Sequence, residues 1–368
     1  MPLGDYVVAE GQTGQPMMRH QAMKKPGVWI ARWVLSILFL AVSASVAHSR
    51  EVTDIFGNKV IVPDLPQKVY STAPSATYML YTIDPAMLAG LNFPVRPWEK
   101  QHLQKRMQSL PVLGGWFGQG ETPNLEMIMK VNPEIIVTLK NHAATEEKVA
   151  RALKSMPMPA IGLTLDGLDD YPQAYLYLGR VLGRSTRAGK LSAYSCRTLK
   201  EMATLAASIP ARERVGVYYA EGPDGLSTEC DTSEHADLIS RVGGQNIHRC
   251  KTRNPMGMEK ISLEQVILYN PEVILVLDPG FFKKVYADPR WQRITAVKNR
   301  QVYLIPNQPF NWFDRPPSFM RLLGAKWLAH LLYPERYRIN IVQEVRSFFN
   351  LFLDVDLSVQ EAEAILQP

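Results

Sequence analysis

The chain has 368 residues, of which 46% are hydrophobic and 21% are charged, with a formal net charge of +6. These values are typical of a globular protein and exclude bulk disorder, and the length favours two packed lobes over one domain. The small positive charge, partly carried by the first 50 residues, includes no basic run interleaved with aromatics, so nucleic acid is not an expected partner.

Residues 23–49 have the order of segments found in a secretory signal. Lys24 and Lys25 precede an apolar run from residue 33 to 42, and small residues fill positions 43–47. The apolar run is shorter than the roughly 20 residues that span a bilayer, although an uncleaved membrane anchor remains the alternative. We therefore predict that residues 1–49 are a signal peptide with an N-terminal extension, with cleavage near Ala47 or Ser49. Met23 is an alternative start of translation. No cysteine lies near the cleavage region, so a lipid anchor is not expected.

The region 50–170 alternates short apolar strands with helical segments, which predicts an N-terminal α/β lobe with a parallel sheet. The predicted strands are 68–72, 87–91 and 134–139, and the predicted helices are 76–83 and 125–131.

Residues 171–210 differ from both flanking regions because a long helix is predicted over 186–208, after an interruption at Gly183. Apolar residues recur along it at helical spacing, and no proline breaks it. We interpret 171–210 as a helix that links two lobes, with a plain core helix as the alternative.

The α/β alternation restarts after Pro210 and predicts a C-terminal lobe over 211–368, ending in helices. Strands are predicted at 214–219, 272–277 and 302–305, and helices at 233–242, 263–269, 318–332 and 340–353. The chain as a whole is thus predicted to be α/β, with two Rossmann-like lobes joined by a long helix.

An internal repeat relates the two predicted lobes. Residues 124–140 (NLEMIMKVNPEIIVTLK) and 262–278 (SLEQVILYNPEVILVLD) align without gaps at an offset of 138, with seven identities in 17 positions. Asn124 or Ser262 is expected to cap a helix that Asn-Pro ends, and a buried strand follows. Two related lobes enclose a cleft, which is a usual place for a small ligand.

Motifs for catalysis and for resident metals are absent from the sequence. It contains no GxSxG, P-loop, HExxH or dinucleotide fingerprint, and no CxxC pair for a thiolate zinc site. No enzyme activity, cofactor or resident metal is therefore expected. Cys230 and Cys250 could form a disulfide in an exported chain, or remain two separate thiols.

Residues 51–366 resemble the periplasmic binding proteins for iron–siderophore, haem and cobalamin uptake, the class III proteins with a rigid helical backbone between lobes. The resemblance rests on VTDIFGNKVIVPDLPQKVYSTAPSATYML, the two NPE units, GVYYAEGPDGL, HADLISRVGGQNI and WFDRPPSFMRLLGAKWLAHLLYP. It implies a monomeric periplasmic protein that captures a metal chelate, an iron(III)–siderophore first among them, for an ABC importer. Cobalamin, haem and nickel or cobalt complexes remain alternatives, as does an exported metal chaperone or enzyme of the same fold.

The resemblance also implies where partners bind. One acidic residue in each lobe docks onto the permease dimer in such proteins, and the matching positions are Glu126 and Glu264; their preference for helix starts could also explain them. Ligand contacts are expected in loops that follow strand ends. The candidates for the ligand-binding cleft are Tyr78, Trp116, His142, Tyr219, Glu221, Arg253, Trp312 and Phe313.

Overall fold

The computed structural model describes residues 48–116, 122–139, 143–252 and 257–367. The predicted signal peptide therefore lies outside the described residues, apart from its last positions. Residues from His48 onward belong to one compact unit. None of the helices in the described part of the chain is long and apolar enough to cross a membrane.

The N-terminal lobe is built on a parallel three-stranded sheet of order β3-β4-β5, preceded by an antiparallel hairpin of β1 and β2. Its elements are β1 (Ser49–Thr53), β2 (Lys59–Pro63), β3 (Val69–Ser71), α1 (Pro74–Ile83), α2 (Lys105–Gln108), α3 (Leu125–Val131), β4 (Ile135–Leu139), α4 (Ala143–Leu153) and β5 (Ala160–Leu163). In register, Val69 lies beside Ile135, and Ile136 lies beside Ala160.

Two helices follow, separated at Gly183, where the sequence predicted an interruption. These are α5 (Tyr171–Val181) and α6 (Ser185–Ser208), and they pack against each other. Gly183, which separates them, has φ +66°, a conformation that favours glycine. The prediction of a long helix ending at 208 is confirmed, and its start differs by one residue from the predicted one.

The C-terminal lobe contains a parallel four-stranded sheet of order β11-β10-β6-β8 and a small antiparallel pair, β7 with β9. Its elements are β6 (Gly216–Ala220), β7 (Ser227–Thr228), α7 (Asp237–Arg241), β8 (Gln245–Asn246), β9 (Glu259–Lys260), α8 (Leu263–Tyr269), β10 (Val273–Val276), α9 (Pro279–Val285), α10 (Thr295–Lys298), β11 (Val302–Leu304), α11 (Met320–Leu332), α12 (Ile341–Leu353) and α13 (Val359–Leu366). The fold is therefore mixed α/β with parallel sheets and a long helix, as predicted.

The internal repeat has the same structure in both lobes. The side chain of Asn124 accepts from the N–H of Met127 at the start of α3, and that of Ser262 accepts from Gln265 at the start of α8. Both helices end at an asparagine in the left-handed conformation, Asn132 and Asn270.

Each repeat strand has two buried faces, as expected for a central parallel strand. Val137 and Leu275 occupy equivalent repeat positions and face the large core that both lobes share. Ile136 and Ile274, the next equivalent pair, face separate clusters under the outer helices. One hydrophobic core therefore joins the two lobes, while each lobe keeps a smaller core of its own.

The predicted strand 87–91 is wrong as a continuous strand. Residues 85–87 form a 3₁₀ turn that begins at Pro85, and only single parallel bridges join Val69 to Leu88 and Leu91 to Val112. The turn takes up Met87, and two isolated bridges to different partners do not make a ladder, so the segment gives no regular strand. The helix predicted at 233–242 is also shorter than expected, covering Asp237–Arg241.

Candidate functional site

The loop after β11 connects the C-terminal lobe to the N-terminal lobe. Phe310, in this loop, stacks on Tyr78 of α1, with ring centroids 3.9 Å apart, and the Gln308 side chain lies 3.0 Å from Nε2 of His102. Tyr78 is 8% exposed, and burial raises the pKa of its hydroxyl above the usual value. Tyr78 therefore lies at the junction of the two lobes.

A small pocket of about 10 Å³, room for about one water molecule, lies beside this stacked pair. Its polar lining comes from Thr77, Asn92 and Glu99, and its apolar lining includes Phe93 and Phe310. Burial is the main cause that raises the pKa of Glu99 above its ordinary value, opposed by Arg96. The pocket combines aromatic walls with polar groups, but it is far smaller than the roughly 300–1,000 Å³ of typical small-ligand sites.

The loops after β3 and before α3 form the polar edge of the N-terminal lobe. The amide of Asn92 donates to the carbonyls of Ser71 and Gly114, and the N–H of Trp116 donates to the carbonyl of Thr72 at 3.0 Å. The Trp116 side chain is half-buried. The hydroxyl of Thr72 is buried and has no hydrogen-bond partner within the described residues.

A buried cluster of charged side chains lies at the carboxyl end of β6 in the C-terminal lobe. Glu221 follows that strand and is 0% exposed, and Glu229 is 1% exposed. Arg315 pairs with both carboxylates, through Nε to Glu221 and through Nη2 to Glu229. One guanidinium therefore forms ion pairs with two buried carboxylates.

Asp314 and His235 extend this buried charge cluster. Nδ1 of His235 lies 2.6 Å from Oδ2 of Asp314, which is itself 3.7 Å from Nε of Arg315. Burial disfavours the His235 cation, but the hydrogen bond and the charge of Asp314 outweigh burial and raise its pKa. The cluster thus contains three acids, Arg315 and a histidine that readily takes a proton.

Glu221 carries a proton more readily than an ordinary glutamate. Burial raises its pKa to about 7, against the lowering effect of Arg315, and the neighbouring Glu229 raises it further. Its Oε2, like the hydroxyl of Tyr219, is buried without a hydrogen-bond partner in the part of the chain that the structure describes.

The remaining predicted cleft residues of the C-terminal lobe are closely packed in this structure. Phe313 packs on Tyr219, with ring centroids 4.6 Å apart, and is 1% exposed. Trp312 is 0% exposed and donates from Nε1 to the carbonyl of Gln308. Both aromatic residues therefore support the loop that carries Asp314 and Arg315.

The structure brings Tyr219, Glu221, Trp312 and Phe313 together, and it places Tyr78 and Trp116 on the N-terminal lobe. His142 and Arg253 lie outside the described residues. Sequence reasoning missed Arg315 and Glu229, although Arg315 lies within the quoted WFDRPP motif. In the sequence, a cation that follows two aromatic residues in a proline-rich loop could have indicated Arg315 as a site residue.

The two predicted docking residues occupy equivalent places on the repeat. Glu126 and Glu264 are both exposed in the first turns of α3 and α8. Hydrogen bonds from its own backbone N–H and from Ser262 lower the pKa of Glu264. Cys230 and Cys250 are joined by a disulfide, with their Cα atoms 5.1 Å apart.

Comparison with known proteins gives the relationships of the chain. The periplasmic binding protein family matches residues 71–309. An ABC transporter solute-binding protein from Sulfurospirillum deleyianum superposes with a TM-score of 0.82 and 40% sequence identity, covering 87% of this chain and 99% of that one.

Two curated relatives are more distant. The molybdate-binding protein MolA of Haemophilus influenzae is 23% identical, over 87% of this chain and 95% of its own. The high-affinity haem uptake protein IsdE of Staphylococcus aureus is 22% identical, over 66% of this chain and 80% of its own. The relatives are substrate-binding proteins and not enzymes, and proteins of this family work outside the cytoplasmic membrane with membrane permeases. The chain belongs to the periplasmic binding protein family and is a solute-binding protein of an ABC importer.

Proposed function

We propose that the protein captures a metal-containing solute between its two lobes, with an iron(III)–siderophore as the first candidate. It then delivers this solute to the permease dimer of an ABC importer. The observation that carries the proposal is the buried charge cluster of Glu221, Glu229, Asp314, Arg315 and His235 beside the junction of the lobes.

Burying several ionised groups is costly, so a cluster of this kind needs a compensating role. Oε2 of Glu221 and the hydroxyl of Tyr219 have no hydrogen-bond partner among the described residues, so the cluster is not fully satisfied from within. Trp116, half-buried on the opposite lobe, offers aromatic area that suits the organic shell of a chelate. His142 and Arg253 remain predicted cleft residues on this proposal.

A tetrahedral metal oxyanion is the second candidate for the solute. It is favoured by the similarity to the molybdate-binding protein MolA, which extends over most of both chains. Haem, cobalamin and nickel or cobalt complexes complete the set of alternatives.

Glu126 and Glu264 are the proposed contacts to the permease. Both carboxylates are exposed and lie in the first turns of equivalent helices of the repeat, each after a residue whose side chain caps the helix. Two related lobes therefore present one charge each, which matches a two-fold symmetric partner with basic side chains. A single monomer would occupy the whole permease dimer.

Export of the chain is proposed to depend on the signal peptide of residues 1–49. The order of basic, apolar and small residues supports this assignment. The intact mass of the protein isolated from the periplasm would report the site of cleavage, expected near Ala47 or Ser49. A mass that retains residues 23–47 would instead indicate an anchored protein.

The identity of the solute can be tested without assuming a ligand. Native mass spectrometry of the protein, isolated from the periplasm of cells grown on defined iron, molybdate, nickel or cobalt, should show one added mass per chain. Elemental analysis of the same sample names the metal. An added mass without any metal would contradict the proposed class of solute.

A further inference from the structure

Four side chains of the C-terminal lobe form a second cluster of potential metal ligands. The ligand atoms of Cys230, His248, Cys250 and Glu259 all lie within 4.8 Å of one another. Cys230 is 1% exposed and His248 is 7% exposed, so half of the set is buried. Two thiolates, an imidazole and a carboxylate form a donor set that zinc accepts.

His248 has the orientation of a metal-ligating histidine. Its Nδ1 lies 3.0 Å from the hydroxyl of Tyr269, which fixes the ring. Its Nε2 is buried, has no hydrogen-bond partner among the described residues, and lies 3.6 Å from Oε2 of Glu259. A ligating imidazole usually bonds a second group through its other nitrogen in this way.

The segments that carry these ligands are held together independently of the disulfide. The N–H of Asp231 donates to the carbonyl of His248, and the N–H of Cys250 donates to the side chain of Asp231. Glu259 begins β9, where it pairs with Thr228 of β7. The backbone that carries the four ligands is therefore expected to stay in place when the two sulfurs separate.

We propose that the reduced form of this cluster binds one zinc-class ion through Cys230, Cys250, His248 Nε2 and the Glu259 carboxylate. A dithiol reductant supplies two electrons and two protons to the S–S bond, yielding two thiols and the oxidised reductant. Metal binding then releases the two thiol protons to solvent. The sulfurs must separate to about 3.7 Å for tetrahedral coordination, which cysteines with Cα atoms 5.1 Å apart allow.

The two states of the cluster exclude each other, since a sulfur in the disulfide cannot act as a thiolate ligand. An oxidising compartment favours the disulfide and a reducing one favours the ion. Cys230 follows Glu229, which pairs with Arg315, so the cluster adjoins the buried charge cluster without sharing a residue with it. The proposal is independent of which solute the protein transports.

Cobalt titration tests the proposal directly. The purified protein is reduced with a dithiol under nitrogen, freed of the reductant and titrated with Co²⁺. We expect one equivalent to bind with a thiolate-to-cobalt charge-transfer band and the visible bands of tetrahedral cobalt, and one equivalent of Zn²⁺ to abolish them. The oxidised protein should give no such bands.

Variants identify the ligands. We expect Cys250→Ser and His248→Gln to lose the tetrahedral spectrum, and Tyr269→Phe to weaken binding by about tenfold or more, as loss of an outer partner does. Cys196→Ser removes the exposed free thiol on α6 and should leave the titration unchanged. His248→Gln retains the disulfide, so its folding can be checked by circular dichroism before reduction.

Two results would overturn the proposal. The first is a reduced protein, folded or unfolded, that binds no cobalt. The second is a thiolate band that persists in Cys250→Ser and disappears in Cys196→Ser. If reduction unfolds the protein, recovery of the native circular dichroism with one equivalent of Zn²⁺ supports the site, and failure to recover it contradicts the site.

Discussion

At the scale of single residues, the central feature is one arginine shared by two buried acids. Arg315 cannot lose its charge and pairs with both Glu221 and Glu229, so one positive charge faces two buried negative ones. Burial resolves this conflict by raising the pKa of Glu221 to about 7. The buried charge cluster therefore changes its net charge close to neutral pH.

The pKa of Glu221 gives a prediction about stability. Between pH 4.5 and about 7 the folded chain holds a proton that the unfolded chain has released, so its free energy of unfolding falls as pH rises. Glu221→Gln keeps an acceptor for Arg315 but binds no proton. We therefore expect the free energy of unfolding of the variant, relative to that of wild type, to rise by on the order of 1–3 kcal/mol from pH 5 to pH 8. Urea unfolding at each pH measures this difference.

The matched control for this prediction is Glu126→Gln, which removes an exposed carboxylate. Its unfolding curves should follow those of wild type across the same pH range. Parallel pH profiles for Glu221→Gln and wild type would show that Glu221 titrates normally.

At the scale of elements, the loop 306–316 is held in place by helix α11. The carbonyl oxygen of Trp312 lies against Gly324, where an added Cβ would be only 1.8 Å away. The contact is with backbone, so neither partner can move aside easily. The loop that carries Asp314 and Arg315 therefore depends on a position without a side chain.

Two glycine-to-alanine substitutions separate packing from helix propensity. We expect Gly324→Ala to destabilise the protein by about 3 kcal/mol, since the added methyl overlaps the Trp312 carbonyl. Gly189→Ala on α6 has nothing within 4 Å and should stabilise by about 0.5–1 kcal/mol. Thermal unfolding of both variants checks this, and equal effects would refute the packing argument.

Elements of regular period were predictable, and contacts between distant segments were not. The repeat predicted α3, β4, α8 and β10 because its apolar pattern and its caps are local properties. The hairpin of β1 and β2 and the strand β5 were missed, as their short segments carry little period, and the helices α4 and α13 were not predicted either. Arg315 was missed because Glu229 and Glu221, with which it pairs, lie 86 and 94 residues away in the chain.

At the scale of the whole molecule, α6 connects the lobes and is tied to the C-terminal helices. Glu201 of α6 accepts from Lys326 of α11 and from the hydroxyl of Tyr337, while Tyr194 donates to Glu344 of α12. These contacts add to the shared hydrophobic core. We therefore expect solute binding to move the lobes only slightly.

Permease docking should be separable from solute binding. Charge reversal of Glu126 and Glu264 to lysine should abolish uptake into cells while solute affinity stays within about twofold, because rim charges act mainly on the encounter with a partner. Reversal of Glu363, an exposed acid on α13, is the matched control and should transport normally. A loss of solute affinity in the double variant would contradict the docking assignment.

The central claim is that the two lobes capture a metal-containing solute. Tryptophan fluorescence of the protein should be titrated with ferric siderophores, haem, cobalamin, nickel complexes and molybdate, since Trp116 and Trp312 lie on the two lobes. We predict that one compound quenches the signal at submicromolar concentration with a stoichiometry of one per chain, and that Arg315→Gln weakens this binding. A folded protein that responds to none of these compounds would contradict the claim.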